Sequence, residues 1–417
     1  MTESVRGDIA GNVGVAADDG RARRNVMVLA TAQAIAGASA PMNMAVSALA
    51  GFSLLGQNKA LATVPITGFV LGTACGTVPA ALLMRRVGRR AGLITGMLVG
   101  AIGGLIGAGA MGIGSFWTLC LATFMMGFAT AFVQQFRFAA ADTASAAFRP
   151  KAISLVLAGG IVAAVLGPQA VIHSRDLIGS VPYAGAYLAA SAFMITGALI
   201  LIALDIPKLP AVQRSEAGRP VWQIARRPRF IIAVTCAISA YALMSLVMTA
   251  APLAMVGHGH HQDAATLGIQ WHVLAMFGPS FFTGALIVRF GAERIIAAGL
   301  VLLIGCAAVA LSGVSIGHFW LALVLLGVGW NFGFIGGTAL VTETYEPVEK
   351  ERVQALNDFL VFGFVAFASF MSGRLLVSGG WNAVNLSVLP IAVICLVGLG
   401  WLEIRARKRA MHDFRSP

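Results

Sequence analysis

Long apolar stretches recur along this chain, separated by short turns rich in glycine and arginine. They run 26–50, 60–84, 91–113, 116–138, 151–173 and 182–206, then 230–257, 265–288, 295–315, 319–341, 353–377 and 383–403. Each is long enough to cross ~30 Å of hydrocarbon as a helix. The one substantial polar linker, Pro207 to Arg229, carries Lys208, Arg214, Arg219, Arg226, Arg227 and Arg229. The pattern predicts an all-α membrane protein with twelve transmembrane helices in two six-helix bundles. Its expected divisions are an N-terminal tail (1–25), a first bundle (26–206), the linker (207–229), a second bundle (230–404) and a basic tail (405–417).

Composition agrees with this pattern. The 417 residues are 58% hydrophobic and 11% charged, far below the charge of a soluble chain of that size. No cleavable leader pattern is readable in the first twenty-odd residues, which read as a short tail. The net charge of +12 does not call for nucleic acid, because membrane proteins gather Lys and Arg on their cytoplasmic side. Of 29 such residues, 26 fall on the side holding both termini and the linker; Lys59, Arg175 and Arg374 are the rest. Both termini are therefore expected in the cytoplasm. The five cysteines are scattered, with no C-x-x-C pair and no readable disulfide framework.

The halves repeat. MRRVGRR, with Gly88, Arg89 and Arg90, follows the second segment, and RFGAER follows the eighth some 203 residues later. Gly127 to Lys151 also aligns without gaps onto Gly327 to Glu351. Such a pattern suits parallel repeats related by an axis along the membrane normal. The basic turn, its weaker copy and the central linker resemble the major facilitator superfamily. That resemblance spans Val26 to Arg409 and implies two bundles rocking about a mid-membrane site. One departure is Arg85, which stands where the family usually has an acidic residue.

Candidate chemistry concentrates between Tyr241 and Pro279. Met244 and Met248 are spaced i, i+4 on segment seven, and His272 and Met276 likewise on segment eight. At 1.5 Å per residue, Met248 is level with His272 and Met244 with Met276, all roughly 10–18 Å from the outer surface. Thioethers and imidazole are soft, neutral ligands of the kind copper(I) selects. Methionine also fills apolar packing, so a methionine pair alone reads as core; a mid-span histidine points to function. The pairs M-x-x-x-M and H-x-x-x-M resemble the signature of CcoA-type copper importers, whose wider group includes riboflavin transporters. The resemblance implies that these four residues carry copper, as transported substrate, to a cytoplasmic acceptor that supplies heme-copper oxidase assembly in the bacterial inner membrane.

Secondary candidates follow from position. His258, His260 and His261 on the outer turn are expected either to capture metal at the entrance or to be a solvated turn. Cys236, two turns below Met244, is a candidate exit ligand. Arg137 with Asp142 is a candidate cytoplasmic gate, or a site for an anionic or flavin-like substrate. No phosphate-binding G-x-x-x-x-G-K-[ST], catalytic triad or paired mid-membrane carboxylates are present, so neither an enzyme nor a tightly bound cofactor is expected. Two rivals remain: a copper-binding sensor without flux, and an organic-substrate carrier, for instance for riboflavin. The latter predicts an aromatic-lined cavity, with Trp271, Trp330, Tyr241 and Phe277 available.

Overall fold

The computed structural model of the chain describes residues 19–56, 59–142, 144–145, 148–206, 219–346 and 349–413. Most of the expected N-terminal tail, most of the linker and the last four residues lie outside them. The first span is α1 (Asp19–Ala36) continued by α2 (Ser39–Leu54). A 3-10 turn (Lys59–Leu61) leads into α3 (Val64–Val87), then α4 (Arg89–Gly112). The fourth span joins α5 (Phe116–Val133) to α6 (Phe136–Asp142), and α7 (Arg149–Ser174) and α8 (Ala184–Leu201) complete the first half. A short α9 (Val221–Ala225) precedes α10 (Pro228–Gly257) and the pair α11 (Gln262–Phe277) and α12 (Ser280–Phe290). The second half ends with α13 (Ala292–Ser312), α14 (Ile316–Thr342), α15 (Lys350–Leu386) and α16 (Val388–Asp413).

Among the described residues, ten helices are long and apolar enough to cross a membrane, or eleven if the bent pair α11–α12 is one span. The last of these runs α15 and α16 together, but Gly380 breaks helical geometry inside α15 at φ 69°. That break separates the eleventh and twelfth expected segments. The α11–α12 bend of 42° has a local cause. Pro279 lacks an N–H and disrupts the ladder, and a side chain from α14 fills in. Asn331 Nδ2 donates to the Met276 carbonyl (2.7 Å) and to Ser280 Oγ (2.7 Å), while its Oδ1 accepts from Thr283 Oγ1 (2.6 Å).

The internal repeat is visible in the backbone. Gly88 (φ 94°, ψ 160°) and Gly291 (φ 88°, ψ 152°) stand 203 residues apart in nearly the same conformation. Each closes a helix by donating its N–H to the carbonyl four residues back, Met84 and Ile287. Positive φ at both explains why the turn keeps glycine. The second aligned pair, Gly127 and Gly327, also does one job twice. A Cβ at Gly127 would overlap the Phe69 carbonyl of α3, and one at Gly327 would stand 2.6 Å from the His272 carbonyl of α11. Close approach of α5 to α3, and of α14 to α11, requires the missing side chain.

The halves meet through α7 against α11, α3 against α15, and α2 against α10 and α11. The hydrogen bonds and ion pairs seen between them lie toward the face opposite the termini. Arg175 Nη1 stands 2.8 Å from Asp263 Oδ1, Gln169 Nε2 donates to Gln270 Oε1 (2.9 Å), and Thr67 Oγ1 donates to Ser369 Oγ (3.2 Å). Gly373 of α15 lies so close to Thr63 that a Cβ would come within 2.6 Å of its hydroxyl. That face is shut.

Candidate functional site

Met244, Met248, His272 and Met276 are all buried, in the core where α10, α11 and α14 pack. His272 is fully enclosed, and its Nδ1–H donates to the Leu323 carbonyl of α14 at 2.8 Å. That bond fixes the tautomer, leaving Nε2 with a lone pair and no hydrogen-bond partner among the described residues. Imidazole held this way is the arrangement of a metal ligand, and also of a histidine that pins two helices together. Gly327 lets α14 come close to α11 at this same point. Among the described residues no group of three or more His, Cys, Asp or Glu converges, so any soft-metal site here would rest on the thioethers and this one nitrogen.

The three outer histidines go separate ways. His258 Nδ1–H donates to the Ala254 carbonyl (2.7 Å), His260 Nε2–H donates to the Val314 carbonyl (2.6 Å), and His261 caps α11 by accepting from the Asp263 N–H (3.3 Å). Cys236 lies against Cys395 of α16, whose thiol donates to Ser239 Oγ (3.2 Å). It therefore faces a different neighbour of α10 than α11.

The expected Arg137–Asp142 gate is not formed. Asp142 instead takes Arg89 Nε at 2.8 Å, tying the Gly88-Arg89-Arg90 turn to α6. Residues five apart on a helix do not face each other, and the start of α4 brings a better-placed cation. A comparable cluster joins the second half, where Arg229 Nη2 bridges Glu293 (2.8 Å) and Glu343 (2.6 Å). Arg137 lies over the Phe138 ring, 4.8 Å from its centre, and has no ion pair among the described residues. The opposite charge acting on it is Asp358, across the gap on α15. Both side chains are exposed to solvent.

Above this pair lies an aromatic wall. The Tyr241 ring of α10 makes edge contacts with Trp330 (5.3 Å), Phe334 (5.0 Å) and Phe362 (6.0 Å). Trp330 and Phe334 stack at 5.3 Å with planes 15° apart, and Phe277 meets Trp330 at 6.4 Å. Tyr241, Phe277, Phe334 and Phe362 are half-buried, and the indole N–H of Trp330 has no protein partner among the described residues. Val70 of α3, in the other half, packs against this region. Three of the four aromatics anticipated from sequence thus come together; Trp271 does not, being 43% exposed on the outside of α11. Phe334 and Phe362 were missed. Phe334 follows Trp330 by four residues, a spacing that places both on one helix face and could have flagged it.

The two six-helix halves meet at one face, and the second half gathers a cluster of aromatic rings. The chain belongs to the Major Facilitator Superfamily, whose family model matches residues 25–360 and 280–416. It is 49% identical over 380 residues to riboflavin transporter RfnT of Brucella anthropi, covering 91% of this chain and 95% of that protein. It is 30% identical over 399 residues to YdeG of Bacillus subtilis, an MFS-type transporter, covering 90% and 91%. Among solved structures, nucleoside transporter NupG superposes with a TM-score of 0.71 at 14% identity, covering 90% of this chain and 98% of that one. FucP, an MFS transporter in its outward conformation, gives 0.58 at 15% identity, covering 90% and 97%. RfnT favours the organic-substrate alternative over copper.

Proposed function

We propose that this chain carries riboflavin, or a closely similar flat heteroaromatic compound, inward across the bacterial inner membrane by alternating access. The observation that carries this reading is the aromatic wall of Tyr241, Phe277, Trp330, Phe334 and Phe362. Stacked rings hold a planar π-system through its faces, at about 1–3 kcal/mol per ring contact. A copper ion has no use for such a wall, whereas an isoalloxazine does. The 49% identity to RfnT over nearly the whole chain supports the same substrate class. The excess of Lys and Arg on the termini side supports a cytoplasmic position for both termini and the linker. With that orientation the shut face is periplasmic and cargo is released on the cytoplasmic side.

A second reading keeps copper, and one observation favours it: the enclosed, unpartnered Nε2 of His272. The deciding experiment is paired uptake of radiolabelled riboflavin and copper in cells lacking their own importers, with membrane levels matched. Riboflavin uptake that Trp330→Ala weakens about tenfold or more in KM, and that His272→Ala leaves measurable, supports the flavin reading. Copper uptake abolished by His272→Ala, with no riboflavin entry, would sink it and restore the metal site.

A further inference from the structure

Among the described carboxylates toward the termini ends of the spans, several are committed to cations. Asp142 holds Arg89, and Glu343 holds Arg229. Asp205 holds Arg21 and Arg24 at 3.6 and 3.5 Å. Asp358 is different. It accepts a hydrogen bond from Asn357 Nδ2 (3.1 Å), and among the described residues no cation pairs with it. Arg137, the cation whose charge reaches it, belongs to the other half and is likewise without an ion pair. A guanidinium and a carboxylate on opposite halves, neither in an ion pair among the described residues, are a donor and an acceptor free for a third partner.

Their place relative to the aromatic wall gives that arrangement a meaning. Asp358 precedes Phe362 by four residues on α15, so it lies on the same helix face, one turn or about 6 Å nearer the termini. A ring system stacked on the wall and extending one helix turn toward the termini would bring one edge to Asp358 and the neighbouring Arg137. We propose that these two residues read the imide edge of a planar heteroaromatic substrate. Asp358 accepts the imide N–H, and Arg137 donates to a flanking carbonyl oxygen. The proposal rests on the flavin reading and adds to it the part of the ring that is recognised. Hydrogen bonds to charged groups are the strong ones, and a site built around one rejects an analogue that lacks the matching atom.

The test compares riboflavin with 3-methylriboflavin, which keeps both carbonyls and the ring but has no imide N–H. Transport is measured with the full-length protein in proteoliposomes. Wild type is expected to favour riboflavin by about tenfold or more in KM. In Asp358→Ala the riboflavin KM should rise to that of 3-methylriboflavin, erasing the preference. Arg137→Gln should raise KM for both compounds, since both keep the carbonyls. A pair acting only as a gate would change both compounds equally in both variants. Wild type that carries the two compounds equally well, or a preference that survives Asp358→Ala, overturns the imide assignment and leaves the flavin reading intact. No riboflavin transport at all overturns the flavin reading itself. Should Asp358→Ala fail to reach the membrane, the wild-type comparison decides alone.

Discussion

The shut face rests on a small number of polar contacts, and Asp263→Asn probes the strongest. Arg175 is buried, with 7% of its surface exposed, and its Nη1 lies 2.8 Å from Asp263 Oδ1 across the two halves. The contact is too bent to count as a hydrogen bond, so its worth is chiefly Coulombic. For two unit charges about 4 Å apart at an effective dielectric of 20 the ceiling is about 4 kcal/mol. Asp263 is 37% exposed, and Asp176 stays on Arg175 Nε at 3.0 Å after the change, so the guanidinium is not orphaned. These two facts bring the estimate down to about 1.5 kcal/mol, between exposed and buried pairs. That corresponds to roughly a tenfold rise in the ratio of open to shut at this face.

The assay is labelling of a reporter cysteine at Gln169, whose side chain reaches Gln270 across the seam at 2.9 Å. Exposed Cys75 and half-buried Cys120 are first replaced by alanine, and an impermeant maleimide is added to right-side-out vesicles. Labelling should run about tenfold faster with Asp263→Asn, and the swapped pair Arg175→Asp with Asp263→Arg should slow it again. A rate indistinguishable from the parent would mean that apolar packing of α7 on α11, and not the ion pair, keeps the face shut.

Other consequences are local. Arg219 grips Glu349 through Nε (2.6 Å) and Nη2 (2.7 Å), and with the Glu346 N–H (2.9 Å) this holds the Glu349 carboxyl down to about 2. The stabilisation is therefore complete at neutral pH and lost as pH falls from the ordinary carboxylate range through about 2. Melting curves of wild type and Glu349→Gln should differ at pH 7 and converge on acidification; a gap that persists at pH 2 would count against the pair. Gly327→Ala must push α14 off α11 and should cost about 1–3 kcal/mol, whereas Gly109→Ala, which meets nothing within 4 Å, should be neutral or slightly stabilising in the same thermal assay. Asn331→Leu strips the α11–α12 bend of its side-chain partners and should lower stability by about 1–3 kcal/mol, with transport falling alongside.

Much of this architecture is legible in the chain, because spanning a membrane leaves little choice. Apolar runs of the right length have to be helices, and the turn glycines at Gly88 and Gly291 announce the repeat that the backbone then shows. The candidate site is less legible, for two physical reasons. Thioethers are apolar, so Met244, Met248 and Met276 look the same as core or as ligands. The lining is also assembled across distant segments. Nothing near Arg137 in sequence says that its counter-charge is Asp358, and the nearer carboxylate, Asp142, is taken by Arg89 because the start of α4 abuts α6. Chain proximity suggested the wrong partner; helix geometry, five residues apart, already argued against it.

α11 connects the shut face to the aromatic wall. It carries Asp263 of the Arg175 contact at its first turn and Phe277 of the aromatic wall at its last residue. Fourteen residues of helix separate them, about 21 Å of a stiff rod. At its far end the rod meets the Pro279 bend, which Asn331 holds to α14, the helix that also carries Trp330 and Phe334. A movement that parts Arg175 from Asp263 must therefore tilt Phe277 against Trp330, or be absorbed at the bend. Asp263→Asn, remote from any ring contact, should then change riboflavin KM as well as maleimide access. In combination with Asn331→Leu, which loosens the bend, the two readouts should separate: access still raised, KM no longer tracking it. If Asp263→Asn opens the face and leaves KM unchanged even with Asn331 in place, α11 does not transmit the motion, and the rocking must run through α3 and α15 instead.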